Sequence, residues 1–528
     1  MDPFEHLEQQ DHGQGGVETA GEADGDVAEP RSAMQRGGGL TDRHSVGTPP
    51  AAGTRARAGA GRHRSPERAG SAATSPAGPA PARPTLRLGP RPSPLPGHEY
   101  TATAGGGLRR QRYTDGRGRP QVFAIPRFRP SVSHREVLSF LAAAALLRRH
   151  AVDACERDFA RRLLGGGRVV LAPSARVALC WLLEALDLAP GDEVVTQAFN
   201  FPAVPAAIRA AGGRPRFLDL APGSFEADWR RLDDLLGPRT RVVVVTHLYG
   251  NPADLAAAAA RCADRGVTLV EDCAQGIGAA AGGRPVGTTG RGAIFSLGPT
   301  KNLTLLGGGA VACRDEGLAR RLEALAARHG KVRPLASLAL MVKAAALGVA
   351  THPLPFSLAL LPLLRLAERR GVDLVHQIME EPPGVIGDPI RARRPSAAMA
   401  AVGLAQLGRV DALNRARVRN GWYLRSRLAG VERLTLPPLR EGCVFMSFPV
   451  LHPEREVLAR ALRDRGVDSD LGFMADCSSL PLFAEDGASC PHSARTAREI
   501  LHLPIYPQLE PRHLDRVATA VRAALDGV

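Results

Sequence analysis

The run Phe295-Ser296-Leu297-Gly298-Pro299-Thr300-Lys301-Asn302 places an amine five residues after a serine and shortly before the glycines at 307, 308 and 309. Lys301 is one of three lysines in a chain with 68 Lys plus Arg; the others are Lys331 and Lys343. A chain that writes arginine almost everywhere has kept an amine here. A guanidinium stays protonated and forms no Schiff base, whereas a lysine can lose its proton and attack a carbonyl. Read alone, the stretch also fits a surface lysine in a glycine loop.

A second group lies upstream. Val267-Thr268-Leu269-Val270-Glu271-Asp272 is a short apolar, β-rich run ending in acid, and residues 255–265 before it read as a helix. That alternation belongs to a parallel sheet, where ligands sit at the carboxyl ends of the strands. A strand-end Asp, followed by Cys273-Ala274-Gln275-Gly276 and then by a Ser and a Lys roughly thirty residues on, suits pyridoxal phosphate. That cofactor needs a lysine for its aldehyde, a carboxylate to keep its ring nitrogen protonated, and donors for its phosphate.

The motifs Gly191-Asp192-Glu193-Val194, Ala198-Phe199-Asn200-Phe201, Thr246-His247-Leu248-Tyr249-Gly250, Glu271-Asp272-Cys273-Ala274-Gln275 and Phe295-Ser296 with Lys301-Asn302 follow one another in an order that resembles the DegT/DnrJ/StrS aminotransferases. These are sugar aminotransferases of the fold-type I pyridoxal phosphate superfamily, and the resemblance runs from about residue 134 to the C-terminus. It implies an α/β chain with a large domain, 126–330, built on a mostly parallel seven-stranded sheet. A smaller α+β domain, 393–528, would close over the active site. It also implies a homodimer. Lys301 would hold the cofactor and then carry the proton, Asp272 would keep the pyridinium charged, and Gln275 would lie against the ring 3-hydroxyl. Phe201 would stack on the ring, and Ser296 with Ala175 and Arg176 would hold the phosphate. Arg176 stands where members usually have a threonine, leaving it to pair with the phosphate or to face solvent. Arg394 falls where many have an asparagine that reaches the neighbouring subunit's phosphate. The implied acceptor is a keto sugar, nucleotide-linked, in amino-sugar, polysaccharide or secondary-metabolite biosynthesis, with glutamate or glutamine as donor. Relatives that dehydrate carry His in place of the lysine, and Lys301 argues against that chemistry.

At 528 residues the chain has room for more than one domain and a sizeable core. Residues 1–125 are rich in Gly, Ala, Pro, Ser and Arg and cannot bury enough apolar surface to offset their ordering entropy, so a disordered tail is expected. The net charge of +15 invites nucleic-acid binding. The arginines are dispersed rather than clustered, however, and no helix-turn-helix or zinc-finger spacing occurs. The eight cysteines are scattered with no Cys-x-x-Cys pair, which fits a reduced cytoplasmic protein without a metal site, and the N-terminus lacks the pattern of a secretory signal.

The remaining elements follow from periodicity. A helix is expected over 132–164, ended by Gly165-Gly166-Gly167, then a strand at 168–171, a turn at 173–176 and a helix over 177–186. A turn feeding a helix N-terminus makes an anion site, because its first amides are unpaired and the dipole is positive there. Strands are expected at 217–220 and 242–245, a long helix over 398–428, strands near 444–448 and 501–505, and a closing helix over 513–525. His247, just past a strand end, reads as structural rather than catalytic. Residues 331–392 are an apolar insert interrupted by Pro353, Pro355 and Pro362, which suggests one or two short segments. Peripheral membrane contact and a dimer or active-site cover both fit it. The rival to an enzyme is a scaffold that keeps the fold for polysaccharide assembly at a membrane.

Overall fold

The computed structural model describes residues 123–146, 150–370, 393–486 and 488–526. Almost all of the expected N-terminal tail and the last third of the insert, 371–392, lie outside the described residues.

Seven strands form one sheet: β1 (Arg168–Ala172), β2 (Glu193–Gln197), β3 (Arg214–Leu218), β4 (Thr240–Thr246), β5 (Thr268–Asp272), β6 (Gly292–Ser296) and β7 (Gly309–Cys313). Their order is β1-β7-β6-β5-β4-β2-β3, and only β7 runs antiparallel to its neighbours, β1 and β6. This is the expected mostly parallel seven-stranded sheet. The four-valine run 242–245 of β4 shows why the sheet is buried on both faces. Val242 and Val244 pack with Leu182 and Ile208 on one side, while Val243 and Val245 pack with Leu255 and Ala258 on the other.

The helices are α1 (His134–Ala145), α2 (Ala151–Leu164), α3 (Ala175–Ala185), α4 (Ala203–Ala210), α5 (Leu255–Asp264), α6 (Glu316–Ala327), α7 (Pro334–Ala350), α8 (Leu361–Arg369), α9 (Ala397–Leu407), α10 (Val410–Leu428), α11 (Arg455–Asp464), α12 (Pro491–Glu499) and α13 (Pro511–Leu525). Their starts carry the caps the sequence supplies: Ser133 with Glu136 in a capping box, and Ser174, Asp254, Asp315 and Ser396 each accepting a first-turn amide. The C-terminal part pairs β8 (Phe448–Leu451) antiparallel with β9 (Ile500–Leu503). Leu458, Leu501, Val517 and Val521 build a separate core there.

Three local expectations are corrected. The helix expected over 132–164 is two helices, α1 and α2. The one expected over 398–428 breaks at Gly408–Arg409, where the Arg409 guanidinium donates to Ser131 O (2.8 Å) and Ser133 Oγ (2.9 Å) at the start of α1. The strand expected at 444–448 begins at Phe448, because Val444 N and Met446 N donate instead to Gly250 O (3.0 Å) and Tyr249 O (2.9 Å). In the insert the chain forms α7, a bend of 69° and α8, as the prolines suggested; no single helix among the described residues is long and apolar enough to cross a membrane.

Candidate active site

Asp272 is the last residue of β5, at the carboxyl edge of the sheet, and is 2 % exposed. One carboxylate oxygen accepts from Ala274 N (2.9 Å) and the other from the Thr246 hydroxyl (3.2 Å) at the end of β4. Asn200 Nδ2 donates to Thr246 Oγ1 (2.9 Å), so the hydroxyl proton points at Asp272. Burial pushes the Asp272 carboxyl above its usual range, and Ala274 N–H, the Thr246 hydroxyl and the Lys301 ammonium oppose that shift.

Lys301 lies in the loop between β6 and β7. Its Nζ is 3.8 Å from Met446 Sδ. Burial lowers its affinity for a proton, and the Asp272 charge pulls the other way. A half-buried amine whose proton affinity is lowered, electrostatically coupled to a buried carboxylate and with a thioether as neighbour, has the surroundings of a nucleophile.

The loop is fixed by close packing. A Cβ on Gly403 in α9 would come 2.6 Å from Leu305 Cδ1, so only glycine lets this helix sit against the segment that follows the lysine. Gly309 stands opposite Ser296 in the β6–β7 ladder, and a Cβ there would lie 2.4 Å from Ser174 C and 2.5 Å from Ala175 N. Ser296 and the N-terminus of α3 therefore meet on either side of Gly309. The Ser174 side chain caps Val177 N at 3.2 Å, and the first residues of that helix are Ala175 and Arg176. The space above Gly298 is 3.9 Å from both Ser296 Oγ and Lys301 Cγ, which brings the cradle and the amine into one site.

Gln275 is buried; its Oε1 accepts from Tyr249 N (2.9 Å) and its Nε2 lies 3.8 Å from Met474 Sδ. Tyr249 has φ +59°, a strained value for a side chain of that size, and its buried hydroxyl has no hydrogen-bond partner. Phe201 follows Asn200 directly and is 39 % exposed, the arrangement expected of a ring offered to a planar ligand. Arg394 turns inward: its Nε donates to Leu171 O (2.9 Å) and its Nη2 to Glu156 Oε1 (3.2 Å).

His247 is structural, as expected. Its Nδ1 accepts from Ala253 N (3.0 Å), which leaves the proton on Nε2, 3.1 Å from Glu271 Oε2. Glu271, fully buried beside Asp272, also accepts from Gly287, Thr289 and Gly290 N, each at 2.7 Å. Although burial works to raise it, hydrogen bonding from His247 and these amides holds its carboxyl below the ordinary value. His247, Glu271 and Cys273 bring their ligand atoms within 4.8 Å of one another, but these bonds already occupy the His and Glu lone pairs, so the cluster is a staple rather than a metal site. Sequence reasoning missed this staple and the Asn200–Thr246 support of Asp272. Both motifs were visible, but their partners lie 24 to 46 residues away.

The residues present fit pyridoxal phosphate: a half-buried amine of lowered proton affinity, a supported carboxylate at a strand end, an exposed aromatic, and a capped helix N-terminus beside a serine. The DegT/DnrJ/EryC1/StrS aminotransferase family model matches residues 133–346 and 393–522. The chain is 30% identical over 370 residues to the UDP-N-acetyl-3-dehydro-alpha-D-glucosamine 3-aminotransferase of Acidithiobacillus ferrooxidans, covering 69% of this chain and 86% of that protein. It is 29% identical over 402 residues to the dTDP-3-amino-3,4,6-trideoxy-alpha-D-glucose transaminase of Micromonospora megalomicea, covering 74% and 94%. The crystal structure of the aminotransferase TlmJ from Streptoalloteichus hindustanus superposes with a TM-score of 0.60 at 29% identity, covering 76% of this chain and 99% of that one.

Proposed function

The chain belongs to the DegT/DnrJ/EryC1/StrS aminotransferase family, and from that premise we propose that it moves an amino group from glutamate or glutamine to a nucleotide-linked keto sugar, using pyridoxal phosphate. The observation that carries this reading is the Lys301 amine, beside Ser296 at Gly298 and electrostatically coupled to the buried Asp272 at the carboxyl edge of the sheet.

When bound, the cofactor supplies an aldehyde carbon that captures amines and a ring that accepts electrons. Lys301 is the group to hold that carbon and, once released by the incoming donor, to take a proton from one carbon and return it to another. Its lowered proton affinity serves both tasks. Asp272 keeps a proton at the ring nitrogen, and Thr246 and Asn200 keep the carboxylate oriented. Ser296 and the first turn of α3, Ala175 and Arg176, hold the phosphate. Phe201 covers one face of the ring, and Gln275 stands against its substituents. The homodimer implied by the resemblance, and a cytoplasmic location, belong to the same reading. The cross-subunit phosphate contact is not assigned to Arg394, which Glu156 and Leu171 already engage. The scaffold alternative has no support from the relatives described above, which are named as aminotransferases.

The test is the absorption spectrum of the purified protein with pyridoxal phosphate, before and after glutamate, with Lys301→Ala alongside. Wild type is expected to bind the cofactor and change spectrum with the donor, and the variant to do neither. Failure of the wild type to bind the cofactor would overturn the reading.

A further inference from the structure

Residues 331–367 contain Lys331, Arg333, Lys343 and Arg365 and not one Asp or Glu. They fold into α7 and α8, joined through the 69° bend. The family match lapses from residue 347 to 392, across the bend and α8, so this feature exceeds what the fold requires. The inner side of the pair is anchored. Met341 and Ala344 pack on Phe140, Val402 and Leu306 of the lysine loop, and Phe356, Leu361 and Leu364 pack on Ala124. Arg365 Nη2 donates to Arg463 O (2.5 Å) at the end of α11. The outer side is not covered. Among the described residues seventeen large apolar side chains are exposed, and eight of them lie between 335 and 366, including Leu335 (81 %), Val349 (66 %) and Leu358 (70 %). An apolar face this concentrated marks an interaction surface.

We propose that this outer face docks on an anionic lipid surface. The α7 segment, 17 residues long, reaches about 25 Å and then bends, too short for a span and suited to lying at the headgroup boundary. Its exposed leucines and valines enter the acyl edge while Lys331, Arg333 and Lys343, all exposed, meet the lipid phosphates. A second copy of the chain fits less well. An isologous contact sets a face against itself, and this one would bring Lys331, Arg333 and Lys343 together with no Asp or Glu between residues 331 and 367 to pair them. Docking here places the lipid surface next to the loop that carries Lys301, through Leu306.

The test is flotation of the full chain with vesicles of phosphatidylcholine alone and of phosphatidylcholine with phosphatidylglycerol. Binding is expected to the anionic vesicles, weakening as salt rises. It is expected to be lost in Val342→Glu/Leu358→Glu and to weaken about fivefold in Lys343→Gln. Unchanged circular dichroism and transaminase turnover in these variants separate docking from folding and from the catalytic reading. Three results would overturn the proposal. One is absence of flotation with either vesicle. Another is binding that survives in Val342→Glu/Leu358→Glu, which assigns it to the N-terminal arginines. The third is a dimer that the double variant splits into monomers with no vesicle binding, which assigns the face to a second copy.

Discussion

Replacing Glu271 with Gln keeps the shape of a fully buried side chain and removes its charge. The carboxylate accepts four hydrogen bonds, from Gly287 and His247 on Oε2 and from Thr289 and Gly290 on Oε1. A carboxamide has one oxygen, which can serve one of these pairs, and its NH2 then faces the other two donors. His247 cannot relieve the conflict by exchanging tautomers, because its Nδ1 is already accepting from Ala253 N. At about 2 kcal/mol for each buried donor left unpaired, Glu271→Gln should destabilise the fold by about 4 kcal/mol. At about 2 °C per kcal/mol for a chain of this size, that lowers Tm by roughly 8 °C. The pH dependence gives a second check. The folded Glu271 carboxyl lies below its unfolded value of 4.5. Its stabilisation is therefore fully present above pH 4.5 and is lost as pH falls through the folded value. Urea unfolding of wild type and variant should give a gap that is constant from pH 7 to 5 and narrows below that. A gap under about 1 kcal/mol at pH 7, or one that widens with acid, would refute the four-donor account.

Three further outcomes are expected. Asp272→Asn removes the charge that opposes burial at Lys301, so the lysine should lose its proton at lower pH than in wild type, read by NMR of the cofactor-free protein with methylated amines; turnover should fall about a hundred- to a thousandfold. Gly309→Ala should cost about 1–3 kcal/mol and weaken phosphate binding measured by calorimetry, since its Cβ meets backbone that cannot rotate away. Gly298→Ala, with nothing nearer than 3.9 Å, is the control for stability alone. Arg394→Ala leaves the mostly buried Glu156 without its guanidinium and should lose about 2 kcal/mol, discounted for partial exposure; adding Glu156→Gln should recover part of it, a coupling that a thermal-shift double-mutant cycle would measure.

The residues proposed for the chemistry stand out in one dimension. One of three lysines in an arginine-rich chain, an acid closing an apolar run and a glycine series after the lysine need only local pattern to be noticed. Strand periodicity then places the acid at the carboxyl edge. The valines of β4 likewise announce a strand buried on both faces, because alternate side chains must each find an apolar layer. What the sequence left open is set by contacts between distant residues. The segment 444–448 reads as strand by composition, but its amides at 444 and 446 go to the Tyr249–Gly250 turn. The helix over 398–428 breaks where Arg409 finds the start of α1. Arg394, at the position where many family members carry an asparagine that reaches a neighbour, is claimed by Glu156 and Leu171. Propensity and periodicity act over a few residues, whereas a buried donor or charge must be satisfied by whatever the tertiary fold brings within 3 Å. The identity of the residues that could react was therefore written in the chain. Tertiary packing alone decided which carboxylate would be caged by four donors and which arginine would be claimed by Glu156 and Leu171.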